Sequence, residues 1–220
     1  MKIRRFWGRL VSVFCPPTCA SCENVLLSEE KLICRGCQYH LPINDFHLYL
    51  ENESYRRLSA KVPIESAAAY LSFSRSSLVQ TMLHKIKHRR AVDICNYFGY
   101  RFGLQLSNSV YFEAIDMIVP LPKAIKKKGR RTYDPNECLA RSIGSALRLP
   151  VNTSDFVSSL QIVGNMSTTV FQCINWSSFD GKHVLLVNDL LEDDDLLVNA
   201  IHALVAEKRC RVSVANLAID

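Results

Sequence analysis

The sequence of 220 residues lacks any long uninterrupted apolar run. A transmembrane helix needs about 18–20 consecutive apolar residues, so the sequence gives no candidate for one. The first 14 residues are basic and apolar, but Trp7, Gly8 and Arg9 interrupt them and no small-residue cleavage site follows. This pattern predicts an amphipathic first helix rather than a secretory signal, and we expect a cytoplasmic protein.

Internal repeats and low-complexity tracts are also missing from the chain. Hydrophobic residues make up 48% of it and charged residues 22%, which excludes a disordered or collagen-like protein. The length suits one large domain, or one domain with a small appendage.

Lysine and arginine are absent between Leu149 and Gly181, and this gap belongs to a wider imbalance of charge. Residues 1–131 hold 21 basic and 10 acidic residues, a net charge of +11, whereas residues 132–220 hold 6 and 11, a net charge of −5. The two values sum to the overall +6. A basic front half favours an anionic partner, such as nucleic acid, a membrane surface or a phosphorylated ligand.

Hydrophobic patterning predicts strands that alternate with helices. Such alternation is typical of an α/β domain with a mainly parallel sheet flanked by helices. The expected strands cover 67–73, 115–121, 183–187 and 211–218, and the expected helices 76–88, 91–106, 136–147 and 192–207. We divide the chain into residues 1–45 (first helix and a cysteine-rich unit), a linker at 46–65, and the α/β domain at 66–220.

The nine cysteines are unevenly distributed. Two CxxC pairs, Cys19 with Cys22 and Cys34 with Cys37, are separated by 11 residues. This spacing predicts a closed, structural zinc site with four thiolate ligands. The alternatives are surface thiols or a CxxC redox pair. Cys15 is either a packing residue or an alternative ligand, and the other four cysteines are expected in the core.

Two basic segments are the candidate nucleic-acid contacts. One ends a helix, and the other places six cations in the nine residues 123–131, where Tyr133 follows and could stack on a base. The alternatives are a solubilising loop and favourable charge at a helix carboxyl end. His84 and His88 could bind metal, but surface or core roles are favoured. The candidates are Lys85, Lys87, Arg89, Arg90, Lys123, Lys126, Lys127, Lys128, Arg130, Arg131 and Tyr133.

The apolar strand at 183–187 runs into Asn188, Asp189, Leu190 and Leu191. Its pattern resembles the phosphoribosyl diphosphate signature of the type I phosphoribosyltransferases. The double CxxC, the segment 71–90 with its amphipathic helix, the run Val119-Pro120-Leu121-Pro122 and the basic loop after it are similar to the ComF/ComFC competence family, whose relatives include GntX-type proteins. The resemblance implies a phosphoribosyltransferase-like domain preceded by a small zinc-ribbon-like unit. It also implies a role in natural transformation, in which single-stranded DNA is handled with a partner helicase.

The signature departs from that of active family members. In them, two acidic residues hold the ribose hydroxyls, and a loop Thr-Thr-Gly-Ala-Thr wraps the 5′-phosphate; here only Asp189 of the acidic pair remains. The loop position carries the carboxylate run Glu192 to Asp195 instead. Two unit charges about 4 Å apart repel by about 4 kcal/mol at an effective dielectric of 20, so this run disfavours a bound phosphate. The resemblance thus implies a donor site that has lost its chemistry. The run is either a solvated first turn of a helix or a Mg²⁺ or Ca²⁺ site. The loop equivalents are Asn188, Asp189, Glu192, Asp193, Asp194 and Asp195.

Our expectation is therefore a ComF-like protein that binds single-stranded DNA through a basic face. One alternative is an active phosphoribosyltransferase that uses phosphoribosyl diphosphate and Mg²⁺. Another is a protein-interaction scaffold. The sequence leaves the oligomeric state and the protein partner open.

Overall fold

The computed structural model of the protein describes residues 16–74, 77–123, 133–163, 166–206 and 210–220. The helices are α1 (Arg35–His40), α2 (Glu53–Ser59), α3 (Leu78–His88), α4 (Val92–Leu106), α5 (Pro135–Leu147) and α6 (Asp194–Val205). The strands are β1 (Ala67–Ser72), β2 (Met117–Pro120), β3 (Phe156–Val163), β4 (Met166–Cys173), β5 (His183–Leu191) and β6 (Arg211–Ile219). Short 3-10 helices cover Phe46–Leu48, Val110–Phe112 and Trp176–Ser178.

Four strands form one parallel sheet in the order β1-β6-β5-β2. Beyond β2, Val151 makes an isolated parallel bridge to Ile118 and extends the same edge. The strands β5 and β6 lie in the middle and are apolar over most of their length, as expected of strands covered on both faces. The α/β class with a mainly parallel sheet flanked by helices is confirmed.

Helices cover both faces of this sheet. On one face, Ala68 and Tyr70 of β1 share a buried cluster with α3, α4 and α5. On the other, Ala67 and Ala69 share a cluster with α2, α6 and the antiparallel hairpin β3–β4. Successive residues of β1 therefore point to opposite cores, as the alternation of a strand requires.

The cysteine-rich unit packs against the first face rather than standing apart. Its buried residues Ile33 and Leu41 belong to the same cluster as α3 and α4. Ile43 bridges Leu71 in an antiparallel sense, and Lys85 of α3 donates to the carbonyl oxygen of Cys19 (3.3 Å). Loosening of this unit would therefore expose part of the main core.

The segment 46–65, expected as a linker, contains a 3-10 helix and α2 and packs against the sheet. Leu58 is fully buried, and the amide nitrogen of Asn52 donates to the carbonyl oxygen of Ala67 (2.7 Å). Its polar composition reflects an amphipathic helix with one buried side.

The long hairpin β3–β4 lies in the stretch 150–181, whose weak pattern predicted no element. The strand β5 continues to Leu191, four residues past its expected end. The first expected helix, residues 1–14, falls outside the described residues. Within the described part of the chain, no helix is both long enough and apolar enough to span a membrane.

Candidate functional site

The four cysteines of the two CxxC pairs converge on one point. Their sulfur atoms all lie within 4.8 Å of one another, and the Sγ atoms of Cys22 and Cys34 are 3.7 Å apart. Four sulfurs placed tetrahedrally about 2.3 Å from one ion would be about 3.8 Å apart, which matches this spacing. Local structure fixes the second pair, because Cys34 caps α1 and its sulfur accepts from the backbone N–H of Cys37.

The electrostatics of this cluster favour a bound cation. Burial acts to raise the pKa of Cys19, but the backbone N–H groups of Cys34, Cys22 and Ser21 outweigh it and lower that pKa to about 6. Burial, followed by the neighbouring thiols, raises the pKa of Cys37 well above its usual range. Four thiolates therefore share this space only when a positive charge sits among them. The cluster can hold a metal ion, and its donor set is consistent with zinc.

A second candidate site lies between β2 and β5, where the connections that follow the two strands run to opposite sides of the sheet. After β2 the chain passes through α5, on the first face, to Val151 outside β2. After β5 it passes through α6, on the second face, to β6 on the other side. The carboxyl ends of β2 and β5 thus flank a topological switch point, the usual place for ligands in open α/β sheets.

A cavity of about 420 Å³ opens at this point, and we call it the switch-point cleft. Its walls come from the last turn of α3, the residues after β2, the start of α5, β4 and the end of β5. The lining residues are Lys87, His88, Leu121, Pro122, Lys123, Asn136, Thr169, Asn188, Asp189 and Leu196.

Asp189, the remaining acidic residue of the signature, is buried in this cleft and is already paired. Its Oδ2 lies 3.3 Å from the Nζ atom of Lys87. Lys123 approaches from the loop after β2. Burial raises the pKa of the nearby Asp134, and the positive charge of Lys123 acts to lower it. The ends of both basic segments therefore meet at the switch-point cleft.

Asn188, at the first acidic position of the signature, ties strand ends together. Its amide nitrogen donates to the carbonyl oxygen of Leu190 (2.8 Å) and to Oδ1 of Asn216 on β6 (3.1 Å). The amide of Asn216 in turn donates to Oγ of Ser54 on α2 (3.3 Å). A carboxylate could not donate these bonds, so an amide is the side chain that this network requires.

The acidic run has a structural role at the start of α6. Asp193 caps the helix by accepting from the backbone N–H of Asp195. Asp194 lies 2.7 Å from Arg57 of α2 and 3.1 Å from Lys61, two residues after the end of that helix. Although burial opposes it, these two cations lower the pKa of Asp194. Among the described residues these carboxylates do not gather into a metal-ligating group, whereas the four cysteines do.

The remaining basic candidates divide into internal and exposed residues. Lys85 pairs with Glu23 of the cysteine-rich unit (3.1 Å), whereas Arg89 and Arg90 are exposed at the end of α3. His84 and His88 stack on each other, with ring centroids 4.8 Å apart. Tyr133, expected to stack on a base, is partly buried, and burial followed by the nearby Cys95 and Cys138 raises its pKa. Outside the described residues lie Lys126, Lys127, Lys128, Arg130 and Arg131.

Sequence reasoning missed the partners of these candidates. Arg57 and Lys61 sit in the segment expected as a linker, and Asn216 sits in an apolar strand. The side-chain amide of Asn136, which lines the cleft, donates to the carbonyl oxygen of Leu121 (2.9 Å). An asparagine or serine inside a strongly apolar strand is the one sequence signal for such a network, since buried polar groups are hydrogen-bonded.

No family model and no curated protein matched the sequence. Solved structures with some likeness include a purine phosphoribosyltransferase from Pyrococcus horikoshii, with 14% identity and a TM-score of 0.39 over 56% of this chain and 73% of that one. A hypoxanthine phosphoribosyltransferase from Staphylococcus aureus has 16% identity and a TM-score of 0.39, over 59% and 65% of the two chains.

A hypothetical protein from Neisseria gonorrhoeae with bound ppGpp has 16% identity and a TM-score of 0.38, over 56% of this chain and 66% of that one. The matched region thus spans just under two thirds of the gonococcal and staphylococcal chains. At these values the likeness carries no argument about function, and the architecture stands on the strand order of the sheet.

Proposed function

We propose that this chain is a ComF-like protein that binds single-stranded nucleic acid and has lost phosphoribosyltransferase chemistry. The nucleic acid would lie along the basic rim of the switch-point cleft, which Lys87, His88 and Lys123 form. The observation that carries the proposal is that Lys87 and His88 of one basic segment and Lys123 of the other line one cavity at the carboxyl ends of β2 and β5. A single nucleic-acid strand, which carries one negative charge per nucleotide, suits such a rim. Each phosphate that the basic side chains neutralise releases counterions, and this favours binding.

Asp194 of the acidic run does not neutralise the positive charge of this rim. That carboxylate is turned toward α2 and held by Arg57 and Lys61. Within the cleft, Lys87 compensates Asp189, and Arg89 and Arg90 extend the positive charge outward into solvent. Five further cations of the second segment follow Lys123 in the sequence and add to the charge available to a phosphate backbone.

The proposed loss of transferase chemistry rests on Asn188 and Asp189. A donor site needs two carboxylates for the ribose hydroxyls and a phosphate loop rich in glycine and hydroxyls. Here the amide of Asn188 is used between strands, and Asp189 is paired with Lys87. The loop position carries Glu192 to Asp195, which disfavours a phosphate dianion. Mg²⁺ would enter only if the donor site were active.

Zinc is the metal that we propose for the four-cysteine cluster. Four sulfur ligands with CxxC spacing suit a tetrahedral ion and leave no open coordination position for a substrate. The role of the ion is therefore structural. It holds the unit that packs against α3, the helix that carries Lys87 into the cleft.

The biological setting comes from the family resemblance alone. A ComF-like protein would act in the cytoplasm during natural transformation and receive single-stranded DNA beside a partner helicase. The basic rim is the feature of this chain that fits such a task.

The test is a titration of fluorescein-labelled single-stranded DNA at low salt, read by anisotropy. A double variant Arg89→Glu, Lys123→Glu should weaken binding at least tenfold. The matched control is Lys31→Glu, Lys182→Glu, which changes the net charge equally at exposed positions away from the cleft; Lys182 directly precedes β5, at the opposite end of the sheet. Equal weakening in both variants would contradict a localised site.

A parallel calorimetric titration with phosphoribosyl diphosphate and Mg²⁺ separates the alternatives. We expect no binding tighter than about 1 mM, a free energy of about 4 kcal/mol. Micromolar binding that disappears in Asp189→Ala would establish the transferase instead. Absence of binding to both ligands would leave the scaffold as the surviving function.

A further inference from the structure

The helices α4 and α5 approach each other in a regular register of small residues. A Cβ atom added to Gly99 would lie 2.8 Å from Cβ of Ser142, and one added to Gly103 would lie 2.6 Å from Cβ of Ala146. Each pair joins residues with the same offset in sequence, so the two helices run parallel and meet layer by layer.

One helical turn toward the amino ends, the next layer of this register is Cys95 on α4 and Cys138 on α5. A disulfide needs Cβ atoms about 3.5–4.5 Å apart, and the close approach of the two helices at the glycine layers brings the facing side chains of the next layer near each other. The two thiols lie close enough for each to shift the pKa of the other.

The two sulfurs differ in exposure and in chemical state. Cys95 is fully buried, and its Sγ lies 3.7 Å from the carbonyl oxygen of Pro135. Cys138 is partly exposed in the first turns of α5, with its Sγ 3.4 Å from Oδ1 of Asn96. The neighbouring Cys138 thiol, and then burial, raises the pKa of Cys95, whereas the neighbouring Cys95 thiol lowers the pKa of Cys138.

Cys138 is partly exposed, and a surface groove of about 620 Å³ opens beside it. Asn96 and Ser142 line this groove, and both contact Cys138. The Asn96 side chain accepts from its thiol, and the Ser142 hydroxyl donates to its backbone carbonyl oxygen (2.9 Å). A small neutral oxidant could therefore reach Cys138 while Cys95 stays enclosed.

We propose that Cys138 is a peroxide-reactive thiol and Cys95 its resolving partner, so that oxidation joins α4 to α5 by a reversible disulfide. In the first step the Cys138 thiolate attacks one oxygen of hydrogen peroxide, the O–O bond breaks, and sulfenic acid and hydroxide form. In the second, the Cys95 sulfur attacks the sulfenic sulfur, the S–O bond breaks, and water leaves with the thiol proton. Both thiols are oxidised by two electrons in total, and one peroxide is reduced.

The bond would form directly behind the switch-point cleft. Tyr133, which follows the second basic segment, has its pKa raised by burial and then by the neighbouring Cys95 and Cys138. Asn136, between Tyr133 and Cys138 in sequence, lines the cleft. Oxidation would therefore alter the contacts of the chain that leads into the proposed nucleic-acid rim.

The experiment uses the zinc-loaded full-length chain treated with about one equivalent of hydrogen peroxide, followed by peptide mapping. We expect a Cys95–Cys138 crosslink, loss of two free thiols per chain, and full recovery with dithiothreitol. Release of zinc before the crosslink forms, read with a chromogenic chelator, would overturn the preference for Cys138. Absence of the crosslink at full peroxide consumption would overturn the proposal itself.

Single variants separate the two roles. In Cys95→Ala, the oxidised Cys138 lacks its partner and should be labelled by dimedone, whereas in Cys138→Ala, Cys95 should stay unlabelled. Cys210→Ala, which removes a buried cysteine with no such neighbour on α4 or α5, should still form the crosslink. Dimedone labelling of Cys95 but not Cys138 would reverse the assignment.

Discussion

Replacing Asn188 with aspartate should destabilise the protein, although it restores the acidic pair of active transferases. The amide nitrogen of Asn188 donates to the carbonyl oxygen of Leu190 and to Oδ1 of Asn216. A carboxylate of the same shape has no donor, and so it would place negative charge against two oxygen acceptors in a site that is 6% exposed.

The expected magnitude follows from the two lost donations. A buried acceptor left without a donor costs about 1–3 kcal/mol, so the two together cost about 2–6 kcal/mol at pH 7.5. Burial raises the folded-state pKa of the introduced carboxyl above its unfolded value of about 3.9. The cost is therefore complete above the folded-state pKa and shrinks as the pH falls toward 3.9, where the neutral acid can donate one bond.

Urea denaturation of Asn188→Asp and of the unaltered protein at pH 7.5 and pH 5 measures this effect. The free-energy difference should be several kcal/mol at pH 7.5 and clearly smaller at pH 5. Asn199→Asp, the same change at an exposed position of α6, should shift stability by less than about 0.5 kcal/mol at both values. Unchanged stability of Asn188→Asp, with new binding of phosphoribosyl diphosphate, would refute the structural role of Asn188.

Three further predictions concern the metal, the pH dependence and the helix packing. The purified chain should carry about one zinc ion. The double change Cys34→Ser, Cys37→Ser should abolish zinc binding and lower Tm, because the cysteine-rich unit shares the main core. Retention of the metal in this variant, measured by elemental analysis, would contradict the assignment. Burial, and then the charge of Arg211, lowers the folded-state pKa of His183, so its contribution to stability should be full above about pH 6.5 and be lost as the pH falls below it. Between pH 7.5 and pH 5.5, His183→Gln should therefore lose less stability than the unaltered protein, and an unchanged pH profile would contradict this. Gly103→Ala should cost about 1–3 kcal/mol by chemical denaturation despite a better helix propensity, because the added methyl group meets Cβ of Ala146 at 2.6 Å; a gain in stability would contradict the close packing.

The central strands and long helices were predictable because their signals are local. Strands β5 and β6 are apolar runs, and α3 carries apolar residues at helical spacing, with Val79, Met82, Leu83 and Ile86 buried. The hairpin β3–β4 was missed because few of the hairpin side chains that the structure describes, such as Phe156 and Phe171, enter the core. The dipeptide Gly164-Asn165 between two strand-like runs was a turn signal that the sequence did offer.

The cysteine cluster was predictable from spacing, since each CxxC pair offers two ligands from one short turn. The cleft was predictable only in part. The position of Asp189 after a buried strand places it at the carboxyl edge of the sheet, but its pairing with Lys87 joins residues about a hundred positions apart. The pairing of Asp194 with Arg57 is equally long-range, and local sequence patterns do not encode such contacts.

The most direct test of the nucleic-acid proposal is the salt dependence of binding to single-stranded DNA. With about 4–6 phosphate contacts and a slope of about 0.7 per contact, affinity should fall about 50–350-fold between 50 and 200 mM salt. Changing Lys126, Lys127 and Lys128 together to glutamate should weaken binding to all sequences alike and flatten that slope. A complex that is undetectable even at low salt, with a flat titration, would contradict the account.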